Sequence, residues 1–313
     1  MLHVRLITPA GQTEAVVRLI DRTVGTAHLV VLPGAARSPA GDLVSCDVAR
    51  ESADELVGGL RALGLDTHGA ITAENLALAL SRDADRAERA TPGEAADAVL
   101  WEELEEATSE ESTLSITYLG FIALATMIAA CGVVLDNPIL IVGAMAVGPE
   151  FGPLAGICTA VVQRAPRQAL RSLTALLVGF AVAMLVTAVF SLVMDAAGQF
   201  SEAQLDGARP NTGFVYDPGL LSFVVALLAG TAGMLSLTSA KSGALVGVAI
   251  SVTTIPAAAN AAVAAVYGDT HQTWRSTEQL LLNLSAILLA GTLTLLAQKA
   301  LWARQRPRMS SSG

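Results

Sequence analysis

Residues 114–153 read LSITYLGFIALATMIAACGVVLDNPILIVGAMAVGPEFGP, and this run decides the class of fold. From Leu114 to Leu135 no side chain is charged. A helix rises about 1.5 Å per residue, so crossing about 30 Å of hydrocarbon takes about 20 mostly apolar residues. Asp136-Asn137 then makes a minimal link. Pro138 is tolerated at the first position of a helix and opens a second apolar segment. That segment carries its own interruption, Gly148-Pro149-Glu150-Phe151-Gly152-Pro153, near its centre.

The same length criterion yields six spans in all: Leu114–Leu135, Pro138–Val162, Leu173–Met194, Gly219–Ser239, Gly243–Tyr267 and Leu280–Trp302. The connections set an orientation. Arg164, Arg167 and Arg171 follow span two, Lys241 follows span four, and Lys299, Arg304, Arg306 and Arg308 close the last span. The alternate loops hold Arg209 and Arg275 among Glu202, Asp206, Asp217 and Asp269. Cytoplasmic loops carry the excess of Lys and Arg, so both termini are expected in the cytoplasm of a cell whose inner (plasma) membrane holds the chain. The 195–218 loop then faces outside.

Spans two and five share a design. Gly143 to Pro153 and Gly247 to Pro256 each place a Gly, an apolar run and a polar, Pro-containing break inside a span, and each span follows its predecessor through a short link. Spans one to three and four to six therefore read as two copies of one unit. Three helices per copy forces the copies to be inverted, the plan of many secondary transporters, whose solute sites lie near the midplane between broken helices. The candidate binding residues are Glu150, Gly148 and Gly152 from the first copy and Thr253, Thr254 and Asn260 from the second. Glu150 lies about 18 Å from either end of its span. A charge there costs about 3 kcal/mol on insertion scales, so it must face the protein interior or a wet cavity, suited to hold a cation or exchange a proton. The alternative is a pair of kinked packing helices, with Gly143, Gly148 and Gly152 serving close helix approach and Glu150 acting as interhelical glue.

Most of the charge lies before Leu114, and the net charge is −9. Leu2-His3-Val4-Arg5-Leu6 alternates like a half-buried strand. Thr13 to Val24 carries Val16, Val17 and Ile20 at helical spacing, and His28–Leu32 reads as a strand ended by a Pro33-Gly34 turn. Leu43–Ala49 alternates again. Ser52 and Glu55 have the spacing of a capping box for a helix faced by Leu56, Leu60 and Leu63, with Gly64 as its C-terminal cap. A last strand fits His68–Thr72. Strand, helix, strand, strand, helix, strand is the ferredoxin-like order, a small α+β domain over residues 1–80. His3, His28 and His68 fall on or near its strands. Residues 81–113 form an acidic connector helix with Val99, Leu100, Leu104 and Ala107 as its apolar stripe. The membrane domain occupies 114–303, and 304–313 is a cytoplasmic tail.

The segment Asn137-Pro138-Ile139-Leu140-Ile141-Val142-Gly143-Ala144-Met145, continuing to Gly152-Pro153, together with Ser242–Ser251 and Pro256, resembles the bacterial and archaeal membrane proteins grouped as domain of unknown function 389, also called the uncharacterised hydrophobic domain family. The resemblance implies a membrane architecture and little chemistry.

These features point to a transporter or permease for a small solute or ion. Two other readings stay open. One is a regulatory membrane protein whose soluble domain senses a small ligand, and the other is an oligomeric channel lined by spans two and five. The spans hold no Asp pair, His-rich metal motif or Ser-His combination, and no phosphate-binding loop is present, so no enzyme, metal or cofactor is expected. Cys46, Cys131 and Cys158 are scattered, against a disulfide framework or zinc site. The acidic balance argues against a nucleic-acid partner. Met1–Ala10 lacks the apolar core of a secretory signal, which keeps the soluble domain in the cytoplasm. A homo-oligomer in the lipid bilayer is expected.

Overall fold

The computed structural model describes residues 1–76, 78–91, 99, 101–216, 218–239 and 253–309. The chain forms two compact units, one built mainly on Met1–Glu103 and one on Leu104–Leu237 and the helices that follow.

The first unit runs β1 (Leu2–Thr8), α1 (Thr13–Arg22), β2 (Thr26–Arg37), β3 (Ala40–Val48), α2 (Arg50–Ala62), a short α3 (Leu65–His68) and β4 (Ala70–Asn75). The strands make one antiparallel sheet in the order β2-β3-β1-β4. Strand side chains alternate between faces, so Leu2, Val4 and Leu6 of β1 share a buried face with Val44, Cys46 and Val48 of β3. Val16 and Ile20 of α1 and Leu56 and Leu60 of α2 complete that core. Each large aliphatic side chain buried this way contributes about 1.5–3 kcal/mol.

Three local expectations are corrected. Pro33-Gly34 is not the hairpin turn, because β2 continues to Arg37 and the chain reverses at Ser38-Pro39. The Pro-Gly pair instead falls where the β2–β3 register shifts between Leu32 and Ala36. There Gly34 takes φ +64° and donates its N–H to Asp42 Oδ1 at 2.8 Å, so the facing strand absorbs the irregularity. The Ser52 capping box does not form, since α2 already starts at Arg50 and Ser52 lies buried in its first turn. The Ala49 N–H donates to Gly25 O at 2.8 Å, fixing the chain there and moving the helix start ahead of the serine. His68 belongs to α3 and not to the last strand. Gly64 does end α2, in the left-handed conformation at φ +73°.

On the other face of the sheet, Asp47 Oδ1 lies 2.7 Å from His3 Nδ1 and Asp47 Oδ2 lies 2.6 Å from His28 Nδ1. Burial pushes the Asp47 carboxyl up, but the two imidazole bonds outweigh it and hold it below the usual carboxylate range. The connector contains α4 (Arg82–Ala90), capped by the Ser81 side chain, and α5 (Trp101–Glu111). Residues 92–98 and 100 of the expected connector helix, with Leu100 of its stripe, lie outside the described residues. The buried face of α5 runs through Leu104 and Thr108 and on to Ser112, while Ala107 is exposed.

Among the described residues, the second unit has four helices long and apolar enough to cross a membrane. They are α6 (Ile116–Val134), α9 (Pro166–Ala196), α11 (Leu220–Thr238) and the greater part of α13 (Thr270–Met309). Between α6 and α9 lie α7 (Pro138–Val147) and α8 (Phe151–Gln163), bent by 50° across a short break and together long and apolar enough for one broken span or a re-entrant loop. A short helix α10 (Glu202–Asp206) lies in the loop after α9, and α12 (Thr254–Val266) precedes α13. Only 33–44% of the best window of each long helix is buried, leaving residues such as Ile116, Leu185, Leu220 and Leu228 exposed on apolar outer faces. Such surfaces suit lipid contact, and the unit is a multi-pass membrane domain. The expected span Gly243–Tyr267 is described only from Thr253 onward; its first half, with Gly247 and Ser251, lies outside the described residues, as does Lys241. The last helix begins ten residues before the expected Leu280.

Local chemistry explains the turns that set the site. Asp136 takes φ +47° after α6, and the Asn137 N–H donates back to Gly132 O at 2.8 Å. The Asn137 Oδ1 then accepts from the N–H groups of Ile139 and Leu140, and Pro138 occupies the first turn of α7. At the other end of α7, Pro149 has no N–H to give and disfavours helical backbone in the residue before it. Gly148 is accordingly extended, at φ −65° and ψ 129°, and the helix stops at Val147. Helix α8 restarts two residues before Pro153, and α12 starts two residues before Pro256. Each of these helices is 13 residues long.

Candidate functional site

The break between α7 and α8 meets the N-terminus of α12 inside the bundle, where α6 packs against α7, α9 and α12. Glu150, the residue that precedes α8, is 5% exposed. Its Oε1 accepts a hydrogen bond from the Thr254 hydroxyl at 2.7 Å. Its Oε2 is buried with no hydrogen-bond partner among the described residues. Gly148 makes room for this arrangement. A Cβ added there would press on Glu150 Oε2 and come within 2.9 Å of Ile255 Cγ1.

The other expected residues lie near this pair or beyond it. Thr253 is next to Thr254 and accepts a hydrogen bond from Asn283 Nδ2 at 2.8 Å. Gly152 faces Glu111: a Cβ added to the glycine would lie 2.6 Å from Glu111 Cβ and 2.8 Å from Glu111 Oε2. Asn260 does not join Glu150, because six residues of helix separate it from Thr254, about 9 Å of rise. It belongs to a second buried cluster. Its Oδ1 accepts from Arg209 Nη1 at 2.8 Å, and its Nδ2 donates to Ser276 Oγ at 2.7 Å. The Arg209 Nη2 donates to Gln272 Oε1 at 2.6 Å, and the guanidinium carbon lies 4.5 Å from the centre of the Tyr216 ring.

Two features of this region escape the sequence reading. The first is a polar stripe on α13, Gln272, Ser276, Gln279 and Asn283, of which the last three are at most 1% exposed. Spacings of four, three and four residues place them on one helix face. The periodicity was readable, but a span begun at Leu280 leaves three of the four in a loop. The second is the fastening of the loop that carries Arg209. Asp136 accepts from the Asn211 side chain at 2.9 Å and from the Thr212 N–H and hydroxyl at 2.9 and 2.8 Å. Desolvation works against the Asp136 carboxylate, but these bonds prevail and hold it below the usual range.

Arg171 Nη2 donates to Thr113 Oγ1 at 2.8 Å, and Lys299 Nζ donates to Val162 O at 3.1 Å, which places these two basic residues at the end of the bundle where α6 starts. Asp136, Arg209 and Gln272 lie at the opposite end.

Residues 145–289 match the family described as domain of unknown function (DUF389). The matched stretch contains Glu150, Thr254, Asn260 and Asn283. The chain is also 26% identical over 190 residues to "Uncharacterized protein MJ0678" of Methanocaldococcus jannaschii, across 61% of this chain and 57% of that protein. The match thus spans little more than half the length of that curated relative. No solved structure matches.

Proposed function

We propose, for a chain whose residues 145–289 carry domain of unknown function 389, that it is a membrane transporter for a small solute or ion, with its binding site at the α7–α8 break against the start of α12. The observation that carries this reading is the buried Glu150 carboxyl group, with one oxygen held by Thr254 and the other without a side-chain or backbone partner assigned among the described residues. Ionisable groups inside a membrane bundle are costly and mark ion and proton pathways. The first turns of α8 and α12 favour the ionised carboxylate, while burial opposes it. A cation or a proton on Oε2 resolves that conflict.

The wider architecture belongs to the same proposal. Six spans in two inverted three-helix copies are supported by the shared length of α8 and α12 and by the Pro in the first turn of each. Cytoplasmic termini and an inner-membrane location are supported by Arg171 and Lys299 at the end where α6 starts. Assembly into a homo-oligomer is supported by Gly120 on α6, where an added Cβ meets nothing within 4 Å, leaving room for a second subunit's helix. The small unit is read as a regulatory domain of ferredoxin-like form, and the protein as neither an enzyme nor a nucleic-acid binder.

Flux in proteoliposomes tests the function. Vesicles with the full chain are given outward or inward gradients of sodium, potassium, protons, common anions and small metabolites. At least one species should cross well above the rate of empty vesicles. Background rates for every species on the panel reject transport.

A further inference from the structure

The α13 stripe is an expensive feature that the Glu150–Thr254 pair does not require. Ser276, Gln279 and Asn283 are buried in the first half of α13, where an amide left without a partner is costly. Two of the three are matched to α12: Ser276 to Asn260, and Asn283 to Thr253. Between these pairs sits Gln279, 0% exposed, whose Nε2 reaches Asn283 Oδ1 only at 3.5 Å and whose Oε1 is buried without a partner among the described residues. On the facing helix, Pro256, Ala257, Ala258 and Ala259 bring no side-chain donor to it.

The seam therefore carries a column of neutral hydroxyl and amide groups in two hydrogen-bonded sets, Gln272–Asn260–Ser276 and Gln279–Asn283–Thr253. From Gln272 to Asn283 it covers about 16 Å of helix rise. At its lower end, Thr253 adjoins Thr254, whose hydroxyl holds Glu150. At its upper end stands Arg209, whose guanidinium donates to the two amide oxygens, of Asn260 and Gln272, that a hydrated ion entering there would meet first. The turn carrying Arg209 is closed by the Gly213 N–H to Arg209 O bond at 2.8 Å and fastened to the α6–α7 link by Asp136.

We infer that the α12–α13 seam is the access route for a proton or small cation between the Arg209 end of the bundle and Glu150, and that Arg209 plugs its mouth. This rests on the reading of Glu150 as the binding group. Neutral amides and hydroxyls both donate and accept, so they replace parts of a hydration shell or order a file of water without trapping the ion. A guanidinium at the mouth repels a cation until the turn swings away. Asp136 then acts as a positioning residue, holding the plug in place from outside the seam.

Thiol accessibility in the full chain tests this, with Cys46, Cys131 and Cys158 replaced by Ala. A single Cys is placed at Ser276 in the seam, at buried Ile287 as a closed reference, or at exposed Gln204 as an open one, and a small water-soluble thiol reagent is applied from the Arg209 side. With Arg209 present, Ser276→Cys should react nearly as slowly as Ile287→Cys. In Arg209→Ala it should react at least tenfold faster, and Asp136→Ala should do the same without touching the seam, which covers the case in which Arg209→Ala does not fold. Ile287→Cys should stay slow throughout. Slow reaction at 276 in every background overturns the route, and reaction as fast as at 204 with Arg209 in place overturns the plug. Flux separates the two ideas. If Glu150→Gln changes flux while 276 stays closed everywhere, the route fails and the site stands. If 276 opens but Glu150→Gln changes nothing, the Glu150 reading fails.

Discussion

Placing a methyl group on Gly148 probes the contact on which the site depends. A Cβ at this position would crowd Glu150 Oε2 and reach 2.9 and 3.2 Å from Ile255 Cγ1 and Cδ1. Gly148 has ordinary negative φ, so Ala is acceptable to the backbone and the clash is the whole effect. Ile255 is fully buried and cannot turn outward, so α12 must shift or Glu150 must lose its bond to Thr254. Overpacking of this kind costs about 2 kcal/mol, which lowers the melting midpoint of a domain of this size by about 4–8 °C. Gly143→Ala is the control in the same helix. Its Cβ meets nothing within 4 Å, and it gains about 0.5–1 kcal/mol of helix propensity. Intrinsic-fluorescence melting of the two variants in one detergent should give a fall for Gly148→Ala and no fall for Gly143→Ala. Ile255→Ala removes the clashing atoms, and its combination with Gly148→Ala should cost less than the two separate losses added together. Equal midpoints for Gly148→Ala and Gly143→Ala would refute the contact between the break and α12.

Two further outcomes follow from other parts of the molecule. Gly230→Ala should destabilise more than Gly148→Ala, by about 3 kcal/mol, because its Cβ would lie 2.9 Å from both the Cα and the carbonyl oxygen of Ile287, backbone that cannot step aside; the same melting assay ranks them. In the small unit, the native Asp47 carboxyl titrates below its unfolded value of about 3.9. Its stabilisation is thus complete above that value and is lost as pH falls through the lower native one. Amide-exchange protection of β3, corrected for intrinsic rate, should be lower at pH 3 than at pH 6, and Asp47→Asn should flatten that difference.

The small unit was largely legible because strand alternation is a local signal: Val4, Leu6, Val44 and Cys46 face the core as their spacing requires. Its errors came where tertiary contacts override local ones. The Ala49 bond to Gly25 starts α2 before Ser52, and the β2–β3 pairing carries the strand through Pro33-Gly34. In the membrane unit, Pro149 announced the break and Glu150 the buried charge, since both effects act within one turn of helix. The partners were harder. Hydropathy alone leaves Gln272, Ser276 and Gln279 out of the last span, although their spacing marks one face of it. Sequence nearness groups Asn260 with Thr254, but six residues along a helix carry it to another cluster. Nothing local to Arg209 says that a loop arginine turns inward onto Asn260 and Gln272.

The central claim is that Glu150 Oε2, which has no partner among the described residues, takes up a proton or cation during transport, and Glu150→Gln tests it most directly. The substitution keeps the size of the side chain and an oxygen for Thr254 while removing the ionisable group. In proteoliposomes, flux of the species that the wild type carries should depend on pH or on the driving cation, and the folded Gln variant should lose that dependence or the flux itself. A folded Glu150→Gln protein with wild-type flux at every pH and cation concentration contradicts the claim and leaves Glu150 a hydrogen-bonding strut between α8 and α12.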